Sequence, residues 1–142
     1  MNEATPWTRW ISSEEVHQLY AQGIEKYGGA SSPSKDGCVS AALGAAYNGE
    51  LYSSTEIDGE FVVSGLPFCG FLLFYLCTKH CFVDGNKRVA WLCLVFVLLK
   101  MGLTLTVSDQ DAEAFCLDIA NGKIESSEYV VRWVADHLSD LE

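Results

Sequence analysis

Residues 66–100 read LPFCGFLLFYLCTKHCFVDGNKRVAWLCLVFVLLK, and this stretch decides the fold. It contains two apolar runs, Leu66–Cys77 and Val89–Leu99, separated by a polar segment. Each run is shorter than the roughly 20 apolar residues that a membrane-spanning helix needs. We therefore expect two buried helices and no membrane segment. Because a helix that is apolar on all sides has no face suited to water, both helices should lie at the centre of the fold.

The limits of these two helices follow from their flanking residues. Pro67 suits the first turn of a helix that runs to about Lys79, since the N–H that proline lacks would be unpaired there anyway. The second helix should run from about Asn86 to Met101. Gly102 then supplies the left-handed residue that commonly ends a helix.

Four further helices are predicted outside this core, three of them from a serine that can cap the first turn. Ser12 with Glu15 three residues later has the pattern of a capping box. The segment Asn48–Gly65 is predicted to be a loop or a short hairpin. The fold class is therefore all-α, a bundle of about six helices with one short β-hairpin. The four helices are Ser12–Tyr27, ended by Gly28 and Gly29; Asp36–Tyr47; Ser108 to Asn121 and Gly122; and Ser126 to about Leu138.

Length and composition limit the class of protein. The 142 residues fit a single domain over residues 1–142 with its core at about 10–138. An apolar content of 49% excludes a largely disordered chain. The net charge of −10, from 9 Lys and Arg against 19 Asp and Glu, argues against binding to nucleic acid, whose phosphates are neutralised by clustered cations. Residues 1–10 lack the basic and apolar parts of a secretory signal.

The six cysteines show no Cys-x-x-Cys spacing, and four of them lie in or beside the apolar runs. Free cysteine behaves there as a small hydrophobic residue, so we expect all six to be reduced and the protein to be cytoplasmic. The alternative is a metal site formed by Cys77, His80 and Cys81, which would share one helix face. Zinc takes four ligands, and no fourth is indicated.

The polar segment Lys79–Arg88 holds three of the nine cations of the chain. It precedes a helix N-terminus, where unpaired backbone N–H groups and the helix dipole favour an anion. Gly85 allows a phosphate to approach the backbone, and Asn86, Lys87 and Arg88 add donors in the first turn. Cations at this end oppose the dipole unless an anion is bound. The segment therefore predicts a phosphate site.

Three further residues complete a chemical site in the same segment. Histidine is the side-chain type whose ordinary pKa lies nearest neutrality, so His80 is the natural general base for a hydroxyl. Asp84 could hold Mg²⁺, which is usually bound by one or two carboxylates together with substrate phosphates. Phe82 should point into the core and anchor the loop. These groups suffice for phosphoryl transfer, whose catalysis is mostly positioning and charge stabilisation.

Each of these residues also has an interpretation without chemistry. Asp84 could cap the following helix. Lys87 and Arg88 could form a solvated face, and His80 could be a hydrogen-bonded residue between helices. Their joint occurrence between two apolar helices favours the functional interpretation, because burying so many polar groups is costly.

The sequence His80–Arg88 resembles the signature of the Fic/Doc family, His-x-Phe-x-Asp/Glu-Gly/Ala-Asn-x-Arg. It is most similar to the Doc ("death on curing") branch, the toxins of bacterial toxin–antitoxin modules, and the similarity extends over roughly Trp10–Leu138. The resemblance implies an all-α fold around a helix–loop–helix core. It assigns the roles of base to His80, Mg²⁺ ligand to Asp84 and structural anchor to Phe82. The residues implied to hold the nucleotide phosphates are Gly85, Asn86, Lys87 and Arg88.

Three positions bear on which reaction the resemblance implies. Fic adenylyltransferases usually carry Gly at the place of Lys87 and a second Arg at the place of Trp91, whereas Doc-like members carry Lys and lack that Arg. Lys87 therefore implies transfer of the terminal phosphoryl group of ATP to a Ser/Thr hydroxyl, as in Doc, a kinase that inhibits translation through elongation factor Tu. Gly85 is the Fic-like choice where the Doc prototype has Ala. The alternatives are AMP or other nucleotidyl transfer, and an inactive binding module.

The resemblance also implies how the activity is restrained. Autoinhibited Fic proteins carry Ser/Thr-x-x-x-Glu on an inhibitory helix, and no glutamate of this chain has Ser or Thr four residues before it. An antitoxin that binds beside the motif is therefore the expected partner, together with a protein substrate related to elongation factors.

Overall fold

A computed structural model describes residues 6–53, 56–57, 60–61 and 64–141. The predicted loop or short hairpin within Asn48–Gly65 includes residues 54–55, 58–59 and 62–63, which lie outside the described residues, as do residues 1–5 of the N-terminal segment. In chain order the elements are a 3-10 helix Pro6–Arg9, α1 Ser13–Tyr27, α2 Cys38–Ser53, β1 Glu56–Ile57, β2 Glu60–Phe61, α3 Leu66–Thr78, α4 Asn86–Lys100, β3 Leu103–Leu105, α5 Asp109–Ala120, α6 Ser127–Asp136 and β4 Leu138–Asp140.

The fold class is confirmed, because six α-helices dominate the described residues. The predicted hairpin is present as the antiparallel pair β1 and β2. A second antiparallel pair joins β3 to β4, with Leu103 opposite Asp140 and Leu105 opposite Leu138. The single-domain organisation stays a prediction.

Helix α3 lies at the centre of the bundle, as predicted. Every residue from Leu66 to Leu73 is buried, and the helix packs against α2, α4, α5 and α6. At Gly70, a Cβ atom would lie 2.5 Å from the Cα atom of Val131 in α6, so the two backbones cross too closely for any side chain. Helix α4 is central on one face only: Cys93 and Val97 are buried, whereas its opposite face is partly exposed. Among the described residues, no helix is both long and apolar enough to span a bilayer.

The predicted helix starts are confirmed. Ser12 and Glu15 form a reciprocal capping box on α1. The hydroxyl of Ser108 accepts the N–H of Asp111 at 3.1 Å, and the hydroxyl of Ser126 accepts the N–H of Tyr129 at 3.1 Å. Each of these capping hydrogen bonds joins residues three positions apart, so it can be predicted without knowledge of distant contacts.

Two boundaries were predicted wrongly, and both depend on distant contacts. Helix α2 continues to Ser53 instead of ending at Tyr47, so the predicted loop begins later than Asn48. The last helix ends at Asp136 rather than Leu138, because the residues after it pair with β3. Gly102, left-handed with φ 76°, makes this pairing possible by turning the chain from α4 into β3.

Glu50 explains why α2 is longer than the sequence suggests. Its side chain is only 3% exposed. One carboxylate oxygen accepts the N–H of Gly65 at 3.0 Å, and the other accepts the N–H of Phe68 at 2.8 Å. The N-cap residue of α3, Gly65, has no side chain to offer, so Glu50 caps α3 from a neighbouring helix. This contact holds the last turns of α2 in place.

Replacing Glu50 with Ala should lower the free energy of unfolding by about 2–3 kcal/mol, because two buried N–H groups lose their acceptor. Glu50→Gln keeps one acceptor oxygen and should cost less. Urea unfolding followed by circular dichroism measures both changes. Glu25→Ala on the exposed part of α1 is the control and should stay within about 0.5 kcal/mol of the unchanged protein. Equal losses for Glu50→Ala and Glu25→Ala would contradict the capping role.

Candidate active site

The polar segment between α3 and α4 forms a loop over residues 79–85, here called the motif loop, followed by the first turn of α4. His80 stands at its start, immediately beyond α3. Its side chain is exposed, its backbone φ is +50°, and its ring has no hydrogen bond to any part of the chain that the structure describes. Histidine is one of the few residues that tolerate this backbone region. The ring is therefore accessible to a bound molecule.

Phe82 fixes the motif loop to α1. It is 3% exposed, and its ring stacks on Tyr20 with centroids 3.8 Å apart. The ring of His17 contacts it edge-on at 5.7 Å. The neighbouring Val83 points the other way and is 80% exposed. The structure thus places Phe82 in the core and leaves Val83, the residue after it, at the surface.

The side chain of Asn86 closes the motif loop. Its Oδ1 atom accepts the N–H of Phe82 at 3.0 Å, and its Nδ2 atom donates to the carbonyl of Phe82 at 2.7 Å. Both ends of the amide therefore hold the loop conformation. The predicted contact of Asn86 with a phosphate stays a prediction.

Asp84 does not cap α4, so that alternative interpretation is wrong. The N-cap residue is Gly85, whose φ is +82° and which makes no side-chain cap bond. Asp84 is exposed; its Oδ1 accepts the N–H of Gly85 at 2.8 Å, and its Oδ2 accepts the N–H of Ala30 at 3.2 Å.

The first turn of α4 has the features of an anion site. The backbone N–H groups of Asn86, Lys87 and Arg88 have no acceptor within the described chain. Lys87 is exposed. Arg88 donates from Nη1 to the carbonyl of Gly28 at 3.1 Å and lies 4.9 Å from the ring centroid of Tyr27. Neither cation pairs with a carboxylate of the described residues, so both charges remain available to an anion.

The donor set of Asp84 fits a Mg²⁺ ion. A carboxylate offers about four lone-pair sites, and the two hydrogen bonds occupy only some of them. Mg²⁺ is commonly held by one or two carboxylates while substrate phosphates and water supply the other ligands. No cluster of three or more His, Cys, Asp or Glu residues occurs in the described ranges. Any cation at this site would therefore depend on Asp84 and on oxygen atoms of a substrate.

Trp91 lies one turn beyond Lys87 and packs away from the motif loop. Its ring meets that of Trp133 in α6 edge-on at 6.2 Å, and Trp133 stacks on Phe115 of α5 at 3.8 Å. Trp91 therefore joins α4 to the two C-terminal helices, which explains a bulky aromatic residue at this position.

The expectation that all six cysteines are reduced is wrong, because Cys38 and Cys81 form a disulfide. The bond joins the first residue of α2 to the residue after His80. Spacing could not reveal it, since 43 residues of chain separate the two cysteines. The other four cysteines are free and buried.

The alternative metal site at Cys77, His80 and Cys81 is excluded by the same bond, which uses Cys81. Cys77 is also unsuited to a metal. A hydrogen bond with the side chain of Cys116, together with burial, raises the pKa of Cys77 well above its usual value. Burial likewise raises the pKa of Cys69 and of Cys93. These thiols stay protonated, whereas metals bind the thiolate.

A second part of the site, not predicted from the sequence, is the loop between α1 and α2, here called the α1–α2 loop (Gly28–Gly37). It runs across the motif loop and the first turn of α4 in the opposite chain direction. Gly28 and Gly29 predicted only the end of α1, and nothing nearby in sequence pointed to the motif. Four hydrogen bonds join this loop to the motif loop and α4. The carbonyl of Gly28 accepts from the side chain of Arg88, and the N–H of Ala30 donates to the carboxylate of Asp84. The hydroxyl of Ser32 accepts the N–H of Val83, and the N–H of Lys35 donates to the carbonyl of Cys81.

Comparison with known proteins gives one result. The family model described as Fic/DOC family matches residues 10–98. This range begins before α1, includes both sides of the site and ends within α4. A search of curated proteins found no match.

Reduction of the Cys38–Cys81 disulfide should lower the free energy of unfolding by about 2–4 kcal/mol, because the unfolded chain regains the freedom of a long loop. Urea unfolding with and without dithiothreitol measures the change. The variant Cys38→Ser should resemble the reduced protein and should not respond to dithiothreitol. A wild-type protein that is equally stable with and without the reductant would contradict the prediction.

Proposed function

Because the chain belongs to the Fic/DOC family, whose members are generally transferases, we propose that it is a Doc-like phosphotransferase. The reaction transfers the γ-phosphoryl group of ATP to a Ser or Thr hydroxyl of a protein. The observation that carries the proposal is Lys87, an exposed cation at the first turn of α4 that no described carboxylate neutralises. It stands where the family's adenylyltransferases usually have glycine.

His80 is the proposed general base. Its exposed ring accepts the proton of the target hydroxyl while the hydroxyl oxygen forms a bond to the γ-phosphorus atom. The bond from that phosphorus to the bridging oxygen breaks, and ADP leaves with the bridging oxygen. Because the ring has no hydrogen bond to another described residue, no bond among those residues has to break before it can accept the proton.

The first turn of α4 is the proposed phosphate site. The free N–H groups of Asn86, Lys87 and Arg88 and the two cationic side chains bind the phosphates of ATP. Asn86 also keeps the turn in shape through its two bonds with Phe82. Asp84 would hold Mg²⁺, which would supply positive charge beside the phosphates.

The side chain of Lys87 supports the proposed orientation of the nucleotide. In adenylyltransferases of the family, glycine at this position leaves space for the outer phosphates of ATP. A lysine occupies that space, so the nucleotide should bind in the reverse direction with its terminal phosphate beside His80. Trp91, turned towards Trp133, supplies no second cation there.

One observation favours nucleotidyl transfer as the second candidate. Gly85, with φ +82°, is the residue that Fic enzymes carry where the Doc prototype has alanine. In this case the α-phosphorus atom of the nucleotide would be attacked and pyrophosphate would leave. An inactive module that binds a partner is the remaining alternative.

The proposed partners follow from the same resemblance. The protein target is one related to translation elongation factors, so transfer would inhibit translation. An antitoxin binding beside the motif would restrain the activity. A target in the translation machinery implies a cytoplasmic protein, and this localisation now depends on the target alone because the Cys38–Cys81 disulfide removes the argument from reduced cysteines.

Incubation of the purified protein and a cell lysate with ATP labelled at the α or the γ position should transfer only the γ label to protein. His80→Ala should lower this transfer by at least about 100-fold, since general-base catalysis contributes roughly 10²–10⁴. His137→Ala, at the end of α6, is the matched control and should retain transfer. Transfer of the α label would contradict the proposal in favour of nucleotidyl transfer. Transfer of neither label would favour the inactive module.

Lys87→Ala should raise the KM for ATP by roughly 10- to 100-fold, because a hydrogen bond to a charged group contributes about 1.5–3 kcal/mol. Initial rates of γ-label transfer over a range of ATP concentrations measure the effect. Lys123→Ala removes the same charge beyond α5 and should leave the KM unchanged. An unchanged KM in Lys87→Ala would exclude this side chain from the nucleotide site.

A further inference from the structure

The α1–α2 loop contacts the carboxylate of Asp84 directly, although 54 residues of chain separate Asp84 from Ala30. The N–H of Ala30 donates to Oδ2 at 3.2 Å, while the N–H of Gly85 donates to Oδ1 at 2.8 Å. One bond comes from the neighbouring residue and the other from across the site. Together they hold both oxygen atoms of a side chain that is otherwise exposed and free to rotate.

Gly29 is the residue that permits this approach. A Cβ atom at Gly29 would lie 2.9 Å from Oδ2 of Asp84 and 3.2 Å from Cδ1 of Ile24. The first distance is shorter than real Cβ contacts, so any larger residue would displace the carboxylate or the loop. The backbone φ of +114° at Gly29 also disfavours a side chain. Both observations require glycine where the loop meets Asp84.

We propose that Gly29 and Ala30 are positioning residues that orient the carboxylate of Asp84 towards a Mg²⁺ ion bound with ATP. This inference rests on the proposed function, which assigns Mg²⁺ to Asp84. Carboxylates that bind metals are themselves held by hydrogen bonds, and loss of such a partner typically weakens metal affinity 10- to 100-fold. The N–H of Ala30 is such a partner, and Gly29 provides the space for it.

The test is the affinity of the full-length protein for ATP, measured by isothermal titration calorimetry with and without Mg²⁺. Gly29→Ala should reduce the Mg²⁺-dependent gain in affinity 10- to 100-fold while metal-free binding of ATP stays within about twofold. Gly37→Ala is the matched control. Gly37 lies in the same loop with a φ of +72°, and a Cβ atom there would meet no atom within 4 Å. This variant should keep both affinities.

If Gly29→Ala kept the Mg²⁺-dependent gain in affinity for ATP, the inference would be overturned. It would also be overturned if the affinity for metal-free ATP fell as much as the affinity with Mg²⁺, because this would indicate general damage to the site. No Mg²⁺-dependent gain in the wild-type protein would overturn it as well. A wild-type protein that binds ATP more tightly with Mg²⁺ but transfers no γ label contradicts the proposed function and leaves the inference standing. The two failures are therefore distinguishable.

A double-mutant cycle on the free energy of unfolding tests the contact without any nucleotide. Gly29→Ala should destabilise the wild-type protein more than it destabilises the Asp84→Ala variant, since the shorter side chain removes the clash with Oδ2. Additive effects in the two backgrounds would show that Gly29 does not act on Asp84. The same measurements establish that every variant folds.

Discussion

The burial of α3 is the constraint on which the rest of the structure depends. Its residues Leu66–Leu73 are buried without exception, so other helices must cover it on every side, and α2, α4, α5 and α6 do so. A buried helix needs its unpaired ends satisfied, and Glu50 supplies the acceptors at the start. The other end reaches the surface at His80. The requirement to bury α3 thus sets where the polar segment emerges.

The motif concentrates positive charge in a protein whose net charge is −10. Lys87 and Arg88 stand at the positive end of the α4 dipole without a described carboxylate beside them, an arrangement that costs stability while no anion is bound. Arg88 offsets part of this cost by its bond to Gly28 and its contact with Tyr27. Lys87 has no such compensation. A surface adapted only for solubility would not concentrate cations at this end of a helix.

Sequence predicted the parts of the fold that depend on short-range signals, and it missed those that depend on distant partners. The Ser12, Ser108 and Ser126 caps and the two apolar helices were found because each signal lies within its own element. The full length of α2 was missed because it requires Glu50 to reach α3. The β3–β4 pair and the Cys38–Cys81 disulfide join segments far apart in the chain. Residue pattern and spacing carry no information about such long-range contacts.

The same distinction applies within the candidate site. The motif identifies His80, Asp84 and Asn86 as candidate site residues, but it does not indicate which of them faces a ligand and which holds the loop. Asn86 has the chemistry to bind a phosphate, yet both ends of its amide are engaged by Phe82. Asp84 has the chemistry to cap α4, yet it is held by the α1–α2 loop instead. Nine residues therefore supply the groups of the proposed reaction, and the α1–α2 loop holds one of them, the carboxylate of Asp84, in place. A chain with an intact motif and an altered α1–α2 loop would keep the signature and lose this contact.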